Sequence, residues 1–305
     1  RTQIMAGDSP DLFAFYSDGN QAPPLEPRAV CADLRPLLPD VTEERLLPGL
    51  FDLLTQDGAL YELPLTVRVD TLVCPSDLIE GPGVTLSDLE AAREKLPEGW
   101  VPVDSWSTPE NLFALAAPFC IGRFVDRETG LCNFQTQEFC DLLDWCRRWG
   151  GDGSTPAAPE KTLVKRGWIS SLSWLAGREE IAKEWFDGAG YTYAGYPVGS
   201  GGSAYLILTS LGVSTSCRDM DGAKAFLEFC FSCAQEEGLP AGSAALQEEL
   251  AQYKAGNRTD WYGEVQKISG ADEEKFLELL NNITVLEGME PALEDILCEE
   301  ANACF

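Results

Sequence analysis

Histidine is absent from this 305-residue chain, and its absence removes a whole branch of chemistry. Without an imidazole there is no Ser-His or Cys-His nucleophile pair and no His-ligated metal. Basic residues are scarce as well: 22 Lys and Arg stand against 50 Asp and Glu, for a net charge of −28. A field of that sign repels a phosphate backbone and anionic lipid headgroups, which argues against nucleic-acid and membrane-surface partners. No apolar run approaches the roughly 18 to 20 residues that cross a bilayer. Arg1–Asp8 carry neither the apolar stretch nor the cleavage pattern of a signal peptide. Internal repeats and low-complexity tracts are missing too.

What is present is ordinary for a water-soluble globular chain: 45% hydrophobic and 24% charged residues. The length suggests about two domains. The acids are scattered along helical stretches, as on a solvated surface, and do not form a tail. Eleven cysteines are an odd number, so at least one sulfur lies outside any intrachain disulfide. The single CxxC pair, Cys230 and Cys233, falls in a stretch expected to be helical, Ala223–Glu236, with no second pair at zinc spacing. With Cys140 and Cys146 it reads as core thiols, so few or no disulfides, no structural metal and no cofactor are expected. In an extracellular protein that usage fits a reducing habitat.

Strand and helix signals alternate along the chain. Pro10–Tyr16 reads as a buried strand and Leu60–Cys74 as a long one with period-2 character. In the latter, Leu63, Leu65, Val67 and Val69 share one face, and Pro64, Thr66, Arg68 and Asp70 the other. A polar face of that kind either lines a cleft or is simply half exposed. Thr85 and Asp88 make a capping-box start for a helix, and Val101–Pro118 mixes strand and turn signals around Trp106. Phe139, Leu142, Leu143 and Cys146 follow i, i+3, i+4, i+7, which makes Thr136–Trp149 an amphipathic helix. Lys161–Ile169, Tyr191–Pro197 and Ser203–Thr209 read as strands, and Arg178–Phe186, 220–236, Asp272–Leu280 and Pro291–Ala301 as helices. The class is α/β.

Gly199–Gly202 has no Lys-Ser/Thr after it and precedes a strand, so it is not a phosphate loop. With 50 acids, carboxylate pairs arise by chance and give a glycosidase no specific support. The indoles are more informative. Trp106, Trp168 and Trp174 sit beside Ser, Thr or Gly, where an indole either stacks on a sugar face or trims the core with its N–H satisfied.

In five places, in order, the chain resembles family 1 extracellular solute-binding proteins, the group that contains maltose-binding protein. The segments are Gln3–Leu12, Leu63–Thr66 through Leu78, Val84–Leu89, Phe124–Asp126 with Asn133–Phe139, and Tyr193–Tyr205 with Ala223–Phe229. The fourth resembles second-lobe sequences of gut Firmicutes members. Cys74-Pro75-Ser76 departs from the Tyr-Asn-Lys usual in the family. The resemblance implies a two-lobed, type II periplasmic-binding-protein fold with the ligand cleft between the lobes. It also implies that the first lobe is incomplete, because family members begin with a β-α-β unit ahead of the point matched by Arg1. Lobe 1 would take residues 1–71 and 196–238, lobe 2 would take 72–195, and the helical tail 239–305 would lie mainly with lobe 2.

The implied activity is non-catalytic: an extracellular monomer, attached to the cell surface as a lipoprotein, closes over a sugar or oligosaccharide and presents it to an ABC permease. Carried over residue by residue, the resemblance points to Phe15, Tyr16 and Asp18 after the first strand, and to Arg68 and Asp70 on the crossing strand. It adds Trp168 with Ser170 after a second-lobe strand, and Trp106 and Tyr205. The rival classes are a carboxylate-dependent carbohydrate hydrolase and the ligand-sensing domain of a larger signalling protein.

Overall fold

The computed structural model describes residues 9–17, 27–55, 57–105, 107–120, 124–126, 131–155, 160–197, 202–233 and 238–287. The first elements in chain order are β1 (Leu12–Tyr16), α1 (Pro27–Val30), α2 (Leu50–Leu54), β2 (Leu63–Pro75), α3 (Leu86–Arg93) and α4 (Pro109–Cys120). There follow β3 (Val125–Asp126), β4 (Leu131–Cys132), α5 (Gln137–Trp149), β5 (Lys165–Ile169), α6 (Arg178–Trp185), β6 (Tyr191–Tyr193) and β7 (Ser203–Val213). The remainder is α7 (Met220–Ser232), β8 (Leu239–Pro240), α8 (Ser243–Ala255), β9 (Arg258–Thr259), β10 (Val265–Gln266), α9 (Gly270–Asn281) and β11 (Ile283–Glu287). The α/β class is as expected. One sheet runs in the order β1-β7-β2-β5, with β11 paired to β7, and β6 and β8 paired to β2.

Contacts divide the chain into two compact units. Unit 1 takes Arg1–Val69, Ile169–Ala176 and Tyr205–Leu286; unit 2 takes Asp70–Trp168, Gly177–Ala204 and Glu287–Phe305. The chain therefore changes unit inside three strands: in β2 after Val69, in β5 after Trp168 and in β7 after Ala204.

In unit 1, β1 pairs antiparallel with β7 from Leu12↔Val213 to Tyr16↔Thr209. β1 lies at one end of the sheet path and is only half covered: of its five residues Phe15 alone is buried, where a buried strand was expected. β8 pairs with the first part of β2 at Thr66↔Pro240 and Val67↔Leu239. That pairing draws the following helices onto unit 1, where a tail packed mainly with the second lobe was expected. Leu246 and Leu250 of α8 and Phe276, Leu279 and Leu280 of α9 are all buried. α9 starts on Ser269, whose side chain accepts from the Asp272 N–H at 3.0 Å, a cap whose loss costs about 1 kcal/mol.

In unit 2, the later part of β2 pairs with β6 from Val73↔Tyr193 to Pro75↔Tyr191. The capping box at α3 is present in both directions: the Thr85 hydroxyl accepts from the Asp88 N–H at 3.2 Å, and the Asp88 carboxylate from the Thr85 N–H at 2.9 Å. α5 buries Phe139, Leu142, Trp145, Cys146 and Trp149 and packs on α4, with Phe113 and Phe139 edge to face at 6.0 Å. The indole N–H of Trp149 donates to Glu90 at 2.8 Å, tying α5 to α3.

Three thiols correct the reading of a cysteine core. Cys140 is exposed, and Cys230 and Cys233 are half exposed at the end of α7, whereas Cys146 is buried as expected. Cys31, Cys74, Cys132, Cys140 and Cys217 are free thiols.

Candidate functional site

β2 is covered along almost its whole length; of its residues only Arg68 is partly exposed. The polar face seen in the sequence is therefore mostly interior. Asp70, at 2% exposure, is a carboxylate that needs a partner, because an unpaired buried charge is costly. Arg166 of β5 supplies it, donating from Nη2 to Asp70 Oδ2 at 3.0 Å. β5 lies beside β2 in the sheet, and Gly167 sets how closely. A Cβ at Gly167 would stand 2.9 Å from the Thr71 methyl and 3.0 Å from a Val73 methyl, so only glycine fits at this approach.

Arg166 and Trp168 are two apart on one strand and project to the same face. The guanidinium lies 3.9 Å from the centroid of the Trp168 ring, while the indole keeps 48% of its surface exposed. Thr71 and Gly167, next along each strand, point to the opposite face. There the Ser203 hydroxyl donates to Thr71 Oγ1 at 2.8 Å, both side chains being buried. The result within unit 2 is an exposed indole, an arginine held in place by a buried carboxylate, and a buried hydroxyl pair under the strand. Such a surface can stack on an apolar ring face and donate hydrogen bonds to hydroxyls. Among the described residues no group of three or more His, Cys, Asp or Glu converges in a way that could hold a metal.

The sequence-predicted residues fare unequally. Asp70 and Trp168 are brought together through Arg166. Arg68 is half-buried on β2, and Tyr16 is 65% exposed. Ser170 is exposed and belongs to unit 1. Asp18 and Trp106 lie outside the described residues.

Two assignments are corrected. Phe15 is buried against Val30 and Cys31, with Phe13 stacked on it at 6.0 Å; in β1 it is Tyr16, not Phe15, that turns outward. Tyr205 is fully buried, and its hydroxyl donates to the Pro48 carbonyl at 3.1 Å. Its polar end is spent inside unit 1, and burial raises its pKa well above the usual phenol range. The sequence reading missed Arg166, Thr71 and Ser203. The signal for Arg166 was available, because it stands two residues before Trp168 on a strand.

The chain belongs to the bacterial extracellular solute-binding proteins, whose family model matches residues 1–239. No curated protein matches it. Among solved structures, the chain is similar to the sugar-binding protein MalE from Xanthomonas citri at 14% identity, TM-score 0.59, covering 99% of this chain and 79% of that one. It is similar to a family 1 extracellular solute-binding protein from Alicyclobacillus acidocaldarius at 12% identity, TM-score 0.60, with the same coverage of 99% and 79%. An ABC substrate-binding protein from Listeria monocytogenes, in complex with cycloalternan, matches at 19% identity, TM-score 0.53, over 98% of this chain and 80% of that one. At such identities the likeness is one of fold.

Proposed function

We propose that the solute is a neutral sugar or oligosaccharide and that Trp168 and Arg166 form part of its binding surface, with Asp70 holding Arg166 in place. The observation that carries this reading is the half-exposed Trp168 ring with a guanidinium laid on it and neutralised by a buried carboxylate. A guanidinium already paired to Asp70 attracts an anion weakly, and the net charge of −28 repels one, so a neutral polyol suits the site. Two similar proteins support the class, one solved in complex with cycloalternan and one with mannotriose bound. Binding is non-catalytic. Capture is coupled to closure of the two units, and a cell-surface-attached monomer presents the closed form to an ABC permease.

The test is a melting-shift screen over neutral mono- and oligosaccharides, uronates, peptides and polyamines. A neutral oligosaccharide at a hundred times its Kd should stabilise the protein by about 2.7 kcal/mol and be recovered intact. Stabilisation by uronates or polyamines alone, or cleavage of the sugar, would overturn the reading.

A further inference from the structure

Solute binding makes no use of the most exposed aromatic pair among the described residues. Between α8 and α9 the strands β9 and β10 form a sheet of their own, with Thr259 opposite Val265 and Arg258 opposite Gln266. Trp261 is 98% and Tyr262 89% exposed at its tip, and Val265 beside them is exposed as well. A two-stranded hairpin alone is marginal in water, but this one is fixed at both ends and across its turn. At the near end the Asn257 N–H donates to the Gln252 carbonyl at 3.0 Å; at the far end Ile268 is buried. In the turn, Asp260 Oδ1 accepts the N–H groups of Tyr262 and Glu264, each at 2.9 Å. The Asp260 N–H donates to the Glu264 carbonyl at 2.9 Å, and the Gly263 N–H to the Asp260 carbonyl at 3.1 Å. One aspartate thus pins the backbone that carries both rings.

Folding gains nothing from rings left in water, whereas Trp, Tyr and Arg are the residues that dominate binding energy where proteins meet. Arg258 is exposed at the base of the same tip. The shape excludes a small solute, which needs a concavity; a projecting tip needs a hollow in something larger. Charge narrows the choice further. Residues 257–268 hold Arg258 and Lys267 against Asp260 and Glu264, a neutral spot on a chain of net charge −28. Nucleic acid and anionic lipid are repelled by such surroundings. A protein pocket that is apolar inside and basic at its rim is complementary to both the tip and the acidic surface around it.

We propose that the Trp261–Tyr262 tip anchors unit 1 in such a pocket on the extracellular face of the ABC permease. This rests on the permease reading above and adds the surface that makes the contact. The hairpin lies in unit 1, whereas Arg166 and Trp168 lie in unit 2. The bonds that shape the tip run between residues 252 and 264 and involve no residue of the solute surface. The anchor is therefore the same with and without solute. It strengthens docking of the sugar-free and the sugar-loaded protein equally, because a contact common to two states favours neither. Preference for the loaded form comes from elsewhere.

The test uses the permease encoded with this protein, reconstituted in phosphatidylcholine nanodiscs, and measures its binding to the whole chain by surface plasmon resonance. Wild type should bind discs that carry permease and not empty ones, with association slowing as salt is raised. Trp261→Ala/Tyr262→Ala should lower that affinity by about tenfold or more. The factor should be equal with and without saturating oligosaccharide, while the sugar Kd and the ligand-free melting curve stay at their wild-type values. If wild type does not bind the permease, the inference falls together with the permease reading. If wild type binds and the double variant binds as well, the anchor alone falls. Wild-type binding to empty discs would make the tip a membrane contact, and lost sugar affinity in the variant would make it a solute subsite. A loss confined to the loaded protein would tie the tip to closure. Each of these three results overturns the inference.

Discussion

Arg166 reaches across from β5 to Asp70 on β2 at 3.0 Å, and the same guanidinium lies 3.9 Å from the centroid of the Trp168 ring. The buried carboxylate, 2% exposed, thereby bears on the position of a half-exposed indole through the guanidinium that meets both. Trp168 is thus presented and not buried, which separates its contribution to binding from its contribution to stability. Trp168→Ala should weaken oligosaccharide binding by about 1 to 3 kcal/mol, as for a base stacked on an aromatic platform. Because surface changes shift stability by about 0.5 kcal/mol or less, the ligand-free melting curve should hardly move. Calorimetric titration and thermal melts of the same sample decide it; a large ligand-free loss with unchanged affinity would return Trp168 to the core.

Removing the arginine leaves Asp70 without this partner. Arg166→Ala should cost about 1 to 3 kcal/mol of stability, the penalty of an undersatisfied buried acceptor, together with affinity. Arg166→Lys keeps the charge but loses the planar fork that stacks. It should recover stability in urea denaturation more than it recovers affinity. Wild-type affinity in the lysine variant would show that stacking is dispensable.

The fit of β5 against β2 is steric. Gly167→Ala drives a methyl into the Thr71 and Val73 methyls at 2.9 and 3.0 Å, an overpacking that costs about 1 to 3 kcal/mol. Thr71→Ser removes one of those methyls and retains the hydroxyl that meets Ser203. In a double-mutant cycle it should restore part of the loss. Strictly additive effects would mean that the two groups do not collide.

One carboxyl of unit 1 is harder to ionise than a free one. Burial pushes the Glu62 carboxyl above its ordinary value, against the smaller opposing effect of the Ser210 hydroxyl that donates to it. The folded state binds the Glu62 proton more tightly than the unfolded chain. Its contribution to stability is complete below the ordinary carboxylate range and is lost as pH rises through the raised folded value. Glu62→Gln should remove that fall and raise the melting temperature at neutral pH. An unchanged pH profile of melting in the variant would refute this.

Signals that act within one turn of chain were legible. The Thr85–Asp88 capping box and the amphipathic face of α5 are local, and both are present. α4 was not, because Pro109 and Pro118 looked like turn punctuation; Pro109 is in fact the first helical residue, where its missing N–H costs nothing. For β2, periodicity identified the strand but not what covers its second face. An aromatic on or beside a strand reads alike whether it points in or out, and the family resemblance that pointed to Phe15 and Tyr205 carries no information on that. Arg166 went unread because its role depends on Asp70, 96 positions away in sequence.

The three mid-strand passages between the units fix an order of events as the chain is made. Asp70–Trp168 and Gly177–Ala204, the bulk of unit 2, are continuous but for eight residues. They can gather soon after Ala204 emerges. Unit 1 cannot do so. The edge of β2 that β8 covers stays unpaired until residues 239–240 appear, and the helices that bury its leucines run on to Asn281. Over that interval a long apolar strand is exposed, the kind of edge on which nascent chains aggregate. Unit 1 is therefore the half of the protein whose strand edge is covered last as the chain is made.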